Sequence, residues 1–327
     1  MLDRISYSLF PALFLALIPI GLLCGIPWLG FAVGAVVVPI GDELIGDRGA
    51  TVRGPSVFEV RLVLLALVGL MIWSLTEVVK LDSWAMIYLA GASSGYVLGA
   101  IGIAAAHELG HRRSGFDRIL SQGLLAVLGY GHYQVAHSRH HVRAGLREDP
   151  ATARREESLW TFLPRYWRGI WRDATDAAAH ARGMRRHKPW LLLVASVVML
   201  AAVVIFFGAK GTVFWLVQGG LGLFLIASVD FIQHWGLVRR RNPDGTYEKA
   251  TAAHTWESPF WLSERVTLNL TRHNFHHLSP GKHCSDIARV AEGPALPVSY
   301  GAMVVLATIP PAFRRVMNKR LPAASVT

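Results

Sequence analysis

Residues 84–113 read WAMIYLAGASSGYVLGAIGIAAAHELGHRR. Residues 84–106 carry no charged side chain, and roughly 20 apolar residues suffice for a helix to cross the hydrocarbon core of a bilayer. His107 and His111 follow, four residues apart, so both lie on one face at the end of the predicted helix. The stretch therefore predicts a transmembrane helix that carries two metal-binding side chains to the membrane surface.

The whole chain has the composition of a membrane protein. Of its 327 residues, 52% are hydrophobic and only 17% are charged, a balance rare in soluble domains. Six segments are apolar enough to span or nearly span a bilayer, the second being short and interrupted by Pro39: residues 7–26, 28–44, 59–79, 84–106, 190–208 and 211–230. We expect an all-α integral membrane protein with about six transmembrane helices, formed as one domain over residues 1–327.

The basic residues predict how this domain lies in the membrane. With both termini on the cytoplasmic side, only Lys80 and Lys210 of the 33 Lys and Arg residues fall outside, as the positive-inside rule expects. This topology places every clustered histidine at the cytoplasmic surface.

The net charge of +11 has two interpretations on this cytoplasmic face. One is membrane topology together with attraction to anionic lipid; the other is docking of an acidic soluble electron carrier. Nucleic-acid binding is not expected, because the basic residues flank membrane segments without an accompanying motif. The chain has two cysteines, Cys24 and Cys284, too few for an iron–sulfur domain of its own, so electrons for redox chemistry must come from another protein.

Nine histidines stand where the apolar segments end. They are His107, His111, His137, His140, His141, His234, His273, His276 and His277. The second and third groups repeat the spacing i, i+3, i+4, which presents one helical face twice. One zinc ion takes three or four protein ligands, so nine imidazoles predict at least two metal ions, and a two-iron, oxygen-activating site is our first interpretation.

The sequence His107-Glu108-x-x-His111 is also the signature of zinc proteases, in which the glutamate activates water. Asn242-Pro243-Asp244-Gly245 resembles the second motif of intramembrane metalloproteases. Seven further clustered histidines have no role in that scheme, which therefore explains the sequence poorly.

Taken together, these motifs resemble the integral-membrane non-haem di-iron alkane hydroxylases, the bacterial alkane monooxygenase family related to membrane fatty-acid desaturases. The resemblance is carried by Pro39–Asp42 with Gly46, His107–Arg112, Glu148–Ala151, His234–Gly236, Leu270–His277, Leu296-Pro297, Tyr300 and Pro310–Met317. The second histidine box is one residue shorter than in alkane hydroxylases and is desaturase-like. Ala136 and Gln233 stand where the family has glutamates. Because an all-imidazole site leaves the metal charge uncompensated, nearby carboxylates should orient and neutralise it, and the candidates are Glu108, Asp149, Asp230 and Asp286.

The resemblance implies a function and its requirements. It implies two non-haem iron ions, O2 as co-substrate, a bacterial-type plasma membrane location, and hydroxylation of an apolar molecule at the terminal carbon of an alkane or alkyl chain. It further implies electrons from rubredoxin or ferredoxin and an NAD(P)H-dependent reductase. A membrane desaturase or decarboxylase, an alkyl-aromatic (xylene-type) monooxygenase and a non-catalytic membrane scaffold are the alternatives.

Several other residues receive weaker interpretations. His132 is interpreted as an additional metal ligand or as a residue that supports the ligands. His254 is interpreted as a structural residue. His180, His187 and His283 are expected at the surface. The Lys- and Arg-rich residues 165–188 are expected to form a surface connection before the fifth span. Trp160, Trp167 and Trp171, interleaved with arginines, are expected to anchor an amphipathic segment at the membrane interface.

Gly91, Gly95 and Gly99 form a small-residue ridge, which favours close helix packing. The face that runs back from His107 through Ile103, Ala100 or Gly99, Tyr96 and Ala92 is instead compatible with a chain-shaped substrate cavity. In that hypothesis Gly99→Leu would shorten the preferred substrate.

Overall fold

The structure, a computed structural model, describes residues 2–48, 54–288, 290 and 293–322, with side chains from residue 5 onward. Within these ranges the regular structure is helical, apart from two isolated β-bridges. The helices are α1 Leu2–Leu23, α2 Leu29–Ala32, α3 Val38–Ile45, α4 Val57–Val78, α5 Trp84–Val97, α6 Ile103–Gly110, α7 Gly115–Val127, α8 Tyr133–Arg143, α9 Leu159–Ala179, α10 Met184–His234, α11 Trp261–Val266, α12 His273–Leu278, α13 Tyr300–Ala307 and α14 Pro310–Met317. The all-α membrane fold expected from the sequence is confirmed.

Four helical segments within the described ranges are long and apolar enough to cross a bilayer. They are Ile5–Leu23, Val57–Val78, Trp84–Gly110 and Met184–His234. Segment 29–45 is shorter and joins α2 to α3 through a π-helical turn at Val33–Val37. The count of six spans remains a prediction, because segment 29–45 is shorter than the helices that meet the length for crossing a bilayer.

Helix α10 is two helices joined at Gly208. This glycine has a φ of 59°, in the left-handed region that only glycine enters without strain. Ser196 in the first half donates to Ala126 O at 2.7 Å, and Gly222 in the second half lies against Leu128. Both halves therefore reach the end of α7, so α10 folds back on itself where the sequence separates segments 190–208 and 211–230.

The glycine ridge of α5 packs against the second half of α10. A Cβ atom on Gly95 would lie 2.7 Å from Gln218 O, and one on Gly99 would lie 2.6 Å from Leu225 Cδ1. Ser94 and Gln218 add a 3.0 Å side-chain hydrogen bond across the same contact. The close-packing interpretation is correct, and this contact fixes α5 and α6, with His107, beside the helix that ends at His234.

Residues 165–188 differ from the expected surface connection. Residues 165–179 continue helix α9, which begins at a capping box made by Ser158 and Thr161; residues 180–183 form a turn, and 184–188 begin α10. Phe162 and Tyr166 are buried, whereas Trp160 and Trp167 remain exposed. The sequence pattern suggested a surface segment because arginines alternate with tryptophans there, but the apolar face of α9 packs inward against α8 and α10.

Candidate metal centre

The nine histidines converge at the ends of α6, α8, α10 and α12 and divide into two clusters. The first cluster contains His107, His111, His137, His141 and His276; the second contains His140, His234, His273 and His277. Within each cluster the candidate ligand atoms lie within 4.8 Å of one another. All nine side chains selected from the sequence are therefore together.

The repeated spacing divides the two triplets between the clusters. On α8, His137 and His141 enter the first cluster while His140 enters the second. On α12, His276 enters the first cluster, whereas the i and i+4 pair, His273 and His277, enters the second. A helix turns about 100° per residue, so i+4 lies about 40° to one side of i and i+3 about 60° to the other side, all on one broad face. Each short helix can therefore serve two metal ions at once.

The nitrogen positions fit two bound metal ions. In the first cluster, His111 Nε2 lies 3.2 Å from both His137 Nε2 and His141 Nε2. Two nitrogens each about 2.1 Å from one metal and at right angles to each other would be about 3.0 Å apart. In the second cluster, His273 Nε2 lies 3.2 Å from His234 Nε2 and 2.8 Å from His277 Nε2.

Two further ring nitrogens support the same conclusion. His107 Nε2 and His140 Nε2 are buried and have no hydrogen-bond partner. A buried nitrogen without a partner is costly unless something binds it, and a metal ion would satisfy one such nitrogen in each cluster. The donor set of neutral imidazoles suits iron, copper, nickel or zinc.

Burial keeps most of these imidazoles neutral, the form that binds metal. It lowers the pKa of His137, His141, His273, His276 and His277 well below the usual value, and neighbouring histidines lower it further. At His140 burial also lowers the pKa, but the charge and hydrogen bond of Asp149 outweigh it, so the net shift is upward. Because of Asp149, the second cluster contains a histidine whose pKa is raised, whereas the pKa of the other five histidines named here is lowered.

Asp149 lies where a carboxylate can orient a candidate ligand. Its Oδ2 lies 2.9 Å from His140 Nδ1 and accepts a hydrogen bond from Thr152 at 2.7 Å. The contact leaves His140 Nε2 to face the second cluster. Such carboxylate–histidine pairs fix ring orientation and tautomer in metal sites.

The other three carboxylates expected near the metals have different partners. Asp230 accepts from the hydroxyl of Tyr166, not from His234, one turn away. Glu108 lies beside His283 and Cys284. Asp286 is exposed and accepts from Ser285, so it contacts no ligand in the described part of the chain. Whether a carboxylate reaches a candidate ligand therefore depends on which side chains pack beside it, and not on how close it lies to a histidine in the sequence.

His283 is the polar residue that the sequence analysis misplaced. It was expected at the surface but is only 7% exposed, and its Nε2 lies 3.3 Å from Glu108 Oε1. Nothing in the local sequence signalled this position, because His283 precedes a 3₁₀ turn, Cys284–Asp286, whose placement depends on distant residues.

The remaining histidines lie outside both clusters. His132 contacts the ring of Trp171, with centroids 4.8 Å apart. His254 Nε2 faces Glu248 Oε1 at 3.1 Å, and His180 and His187 are exposed. Asn242–Gly245 forms an exposed turn, which gives no support to a protease site.

An apolar cavity meets the clusters from the membrane side. It has an empty volume of about 870 Å³. His107 and His137 of the first cluster and His273 of the second line one end. The other lining residues are Phe14, Gly34, Val38, Tyr96, Gly99, Ala100, Ile103, Tyr133, Leu225, Ile226, Val229, Asp230, Gln233, Ser263, Val266, Thr267, Leu270, Tyr300, Gly301 and Val304.

The cavity follows the helix face that the sequence singled out. Ile103, Ala100 and Tyr96 line it, and Tyr96 is eleven residues before His107, about 16 Å along a helix. A Cβ on Gly34 would lie 2.3 Å from the Tyr96 ring, so α2–α3 closes tightly over that tyrosine. An extended apolar chain with its end at the histidines would lie along this face.

The chain has clear relatives among known proteins. Residues 82–306 match the fatty acid desaturase family. An alkane 1-monooxygenase of Pseudomonas putida is 33% identical over 247 residues, which cover 73% of this chain and 61% of that relative. Alkane 1-monooxygenase 2 of Pseudomonas aeruginosa is 31% identical over 319 residues, covering 91% and 84% of the two chains. The hydroxylase component of a Pseudomonas putida xylene/toluene monooxygenase is 24% identical, covering 90% and 85%.

Proposed function

The chain belongs to the fatty acid desaturase family, together with the alkane 1-monooxygenases, and from this premise we propose that it hydroxylates a terminal carbon of an alkane or alkyl chain. The apolar cavity that ends at ligands of both histidine clusters carries the proposal. It joins a place for a lipid-soluble chain to a place for two metal ions.

We propose iron as the metal, two ions for each chain. The five and four imidazoles exceed what a single tetrahedral zinc ion takes. Once bound, iron supplies the reductive activation of O2 that hydroxylation of an unactivated carbon requires.

The chain's own residues supply geometry and exclude water. Asp149 holds the His140 ring, and the Tyr166 hydroxyl donates to Asp230 on the cavity wall. Leu225, Ile226 and Val304 line the cavity with apolar groups. These side chains hold an alkyl chain without offering it a polar partner, so its terminal carbon rests near His107 and His137.

The electrons would come from an acidic carrier of the rubredoxin or ferredoxin type, reduced in turn by an NAD(P)H-dependent reductase. The surface beside the clusters suits such a carrier: Val142, which follows His141, is 72% exposed, and Leu278, which follows His277, is 46% exposed. The rings of these two ligands are 4.6 Å apart. A small apolar contact next to the metal ligands gives a short path for electrons.

Basic groups border both exposed residues. Arg239 Nη2 donates to Val142 O at 3.0 Å, and the exposed Lys282 closes a turn onto Ser279, directly after Leu278. Complementary charge raises the encounter rate and orients a transient partner. The proposed topology puts this docking surface, Val142, Leu278, Arg239 and Lys282, on the cytoplasmic side of a bacterial plasma membrane.

One assay tests the proposal. The purified protein, reconstituted with a carrier and its reductase, is given isotopically labelled O2 and a panel of alkanes, alkylbenzenes and fatty acids, with iron measured by elemental analysis. We expect a primary alcohol that carries the label and about two irons per chain. An alkene without added oxygen would favour a desaturase, preference for alkylbenzenes would favour the xylene-type activity, and zinc without iron would refute the metal assignment.

Topology is tested separately. Reporter fusions after residues 82 and 210 should report the external side, and fusions after residues 150 and 327 the cytoplasmic side. A cytoplasmic signal at residue 82 would contradict the proposed orientation.

A further inference from the structure

A second, much smaller cavity lies beside His107, separate from the apolar one. It is lined by Ala104, His107, Glu108, Leu268, Leu270, His276, Cys284 and Ile287. Its empty volume is about 230 Å³, against about 870 Å³ for the apolar cavity. Only about 10 Å³ of it is open to the centre of a water-sized sphere, close to the smallest space that holds one water molecule. Two ligands of the first cluster, His107 and His276, form part of its wall, so its contents would lie next to the metal centre.

Glu108 gives this cavity a polar group in need of a partner. Its side chain is only 6% exposed, and its Oε1 has no hydrogen-bond partner. His283 Nε2 lies 3.3 Å away but is not aligned for a hydrogen bond. A buried carboxylate oxygen left in this condition is costly, and one water molecule in the adjacent cavity would satisfy it.

The position and tautomer of the His283 ring are fixed by Ser285, at the ring nitrogen that faces away from Glu108. Its Nδ1 accepts from the backbone N–H of Ser285 at 3.0 Å, so the ring hydrogen is on Nε2, which faces Glu108. Burial lowers the pKa of His283 to about 4, and Arg112 lowers it further, so the ring is neutral at physiological pH.

The loop that holds His283 is tied to distant parts of the fold. Asn269 Nδ2 donates to Cys284 O at 2.9 Å, and Tyr7 donates to Asn269 Oδ1 at 2.5 Å. Asn269 has a φ of 66°, a left-handed conformation that asparagine tolerates better than most residues. The geometry beside Glu108 is therefore set by helix α1 and the 268–270 turn together.

We propose that the small cavity is a binding site for one ordered water, held by Glu108 Oε1, and that His283, which lies beside Glu108 and outside the cavity wall, is the residue that positions the Glu108 carboxylate. Ser285 Oγ donates to His283 Nδ1 at 2.8 Å and lies 3.2 Å from Oδ1 of the exposed Asp286. Polar side chains thus lead from His283 to the protein surface.

The water site complements the proposed reaction, on which this role depends. Hydroxylation converts RH, O2, two electrons from the carrier and two protons into ROH and one H2O. One oxygen atom of O2 enters the new C–O bond, and the other leaves as water. The wall of the apolar cavity is mainly apolar, whereas Glu108 gives the small cavity an acceptor without a hydrogen-bond partner. Water and alkyl chain would therefore occupy separate cavities that both contact His107.

The test combines a high-resolution structure of the full-length, iron-loaded protein with a measurement of electron use. We expect ordered water density within hydrogen-bond distance of Glu108 Oε1 in the wild type. His283→Leu should lose that density and lower the alcohol formed per NAD(P)H by about fivefold, the loss equivalent to about one net hydrogen bond. His283→Gln places an amide near the Nε2 position and should restore both.

His254→Gln and His254→Leu are the matched controls, because His254 is another buried histidine facing a glutamate, Glu248. Both should keep the water and the electron use of the wild type. A dry cavity in the wild type, or a retained water with unchanged electron use in His283→Leu, would overturn the proposal. The wild-type structure alone decides the water site if a variant does not fold. Water density without alcohol formation from any substrate would refute the proposed hydroxylase function and leave the water site standing.

Discussion

The two histidine clusters differ in ligand number and in what supports them. The first has five imidazoles from α6, α8 and α12; the second has four from α8, α10 and α12. A six-coordinate ion would keep about one free position in the first and about two in the second. Asp149 orients a ligand of the second cluster, whereas Glu108 beside the first has no ligand as its partner. The cluster with fewer imidazoles thus depends more on each one and on its supporting carboxylate.

Removal of one ligand from each cluster should expose this difference most strongly. His234→Ala leaves three imidazoles in the second cluster, so we expect loss of about one metal ion per chain and of turnover. His111→Ala leaves four in the first cluster and should keep both ions, with reduced turnover. Elemental analysis and alcohol formation measure the two effects. Two ions retained in His234→Ala would remove the proposed asymmetry.

Loss of the supporting carboxylate should have a smaller effect confined to the second cluster. Asp149→Asn weakens the hold on the His140 ring and should lower the affinity of that cluster for metal by about 10- to 100-fold. Competition with a chelator during metal titration measures it. Asp117→Asn, which removes a buried carboxylate paired with Arg61, is the control and should keep wild-type metal affinity. Equal losses in both variants would contradict a role specific to Asp149.

The apolar cavity touches ligands of both clusters, and its depth can be changed without touching either. Ala100→Leu adds bulk to the lining and should lower kcat/KM for the longest substrates by about tenfold, with metal content unchanged. Gly99→Leu is a poorer test than the sequence suggested, since its Cβ would lie 2.6 Å from Leu225 and folded protein should be lost. A chain-length profile for each variant, with metal content, distinguishes these outcomes. An unchanged profile in Ala100→Leu would place the substrate elsewhere.

The proposed docking surface should give the smallest effect, because the charge of Lys282 is exposed and that of Arg239 is only partly buried. Lys282→Glu and Arg239→Glu should each raise the KM for the carrier by about threefold, typical of a surface charge at a transient interface. Rising salt should weaken the carrier's binding to the wild type more than to the variants. Lys80→Glu, on the predicted external side, is the control. A salt-independent KM would leave only lipid attraction and topology to explain the basic face.

Much of the fold could be predicted from the sequence. Long apolar segments identify membrane helices because the bilayer has a fixed thickness, and the glycines at 91, 95 and 99 signal a packed face because only small residues allow it. Eight of the nine histidines could be chosen from spacing, since i, i+3 and i+4 positions share a helix side; His234 could be chosen from its place at the end of an apolar segment. These are local or one-dimensional properties, so the sequence determines them without the rest of the structure.

Other properties depend on which segments meet. The division of His137, His140 and His141 between two clusters required α6 to bring its histidines to one cluster and α10 to bring His234 to the other, with α12 reaching both. Asp149 reaches His140 while Asp230 turns to Tyr166, although each carboxylate is close to a ligand in sequence. His283 is buried because Asn269 and Tyr7 hold its loop against α6. Sequence spacing fixes side-chain direction only within one helix; contacts between helices, and hence partners, are decided by packing over the whole chain.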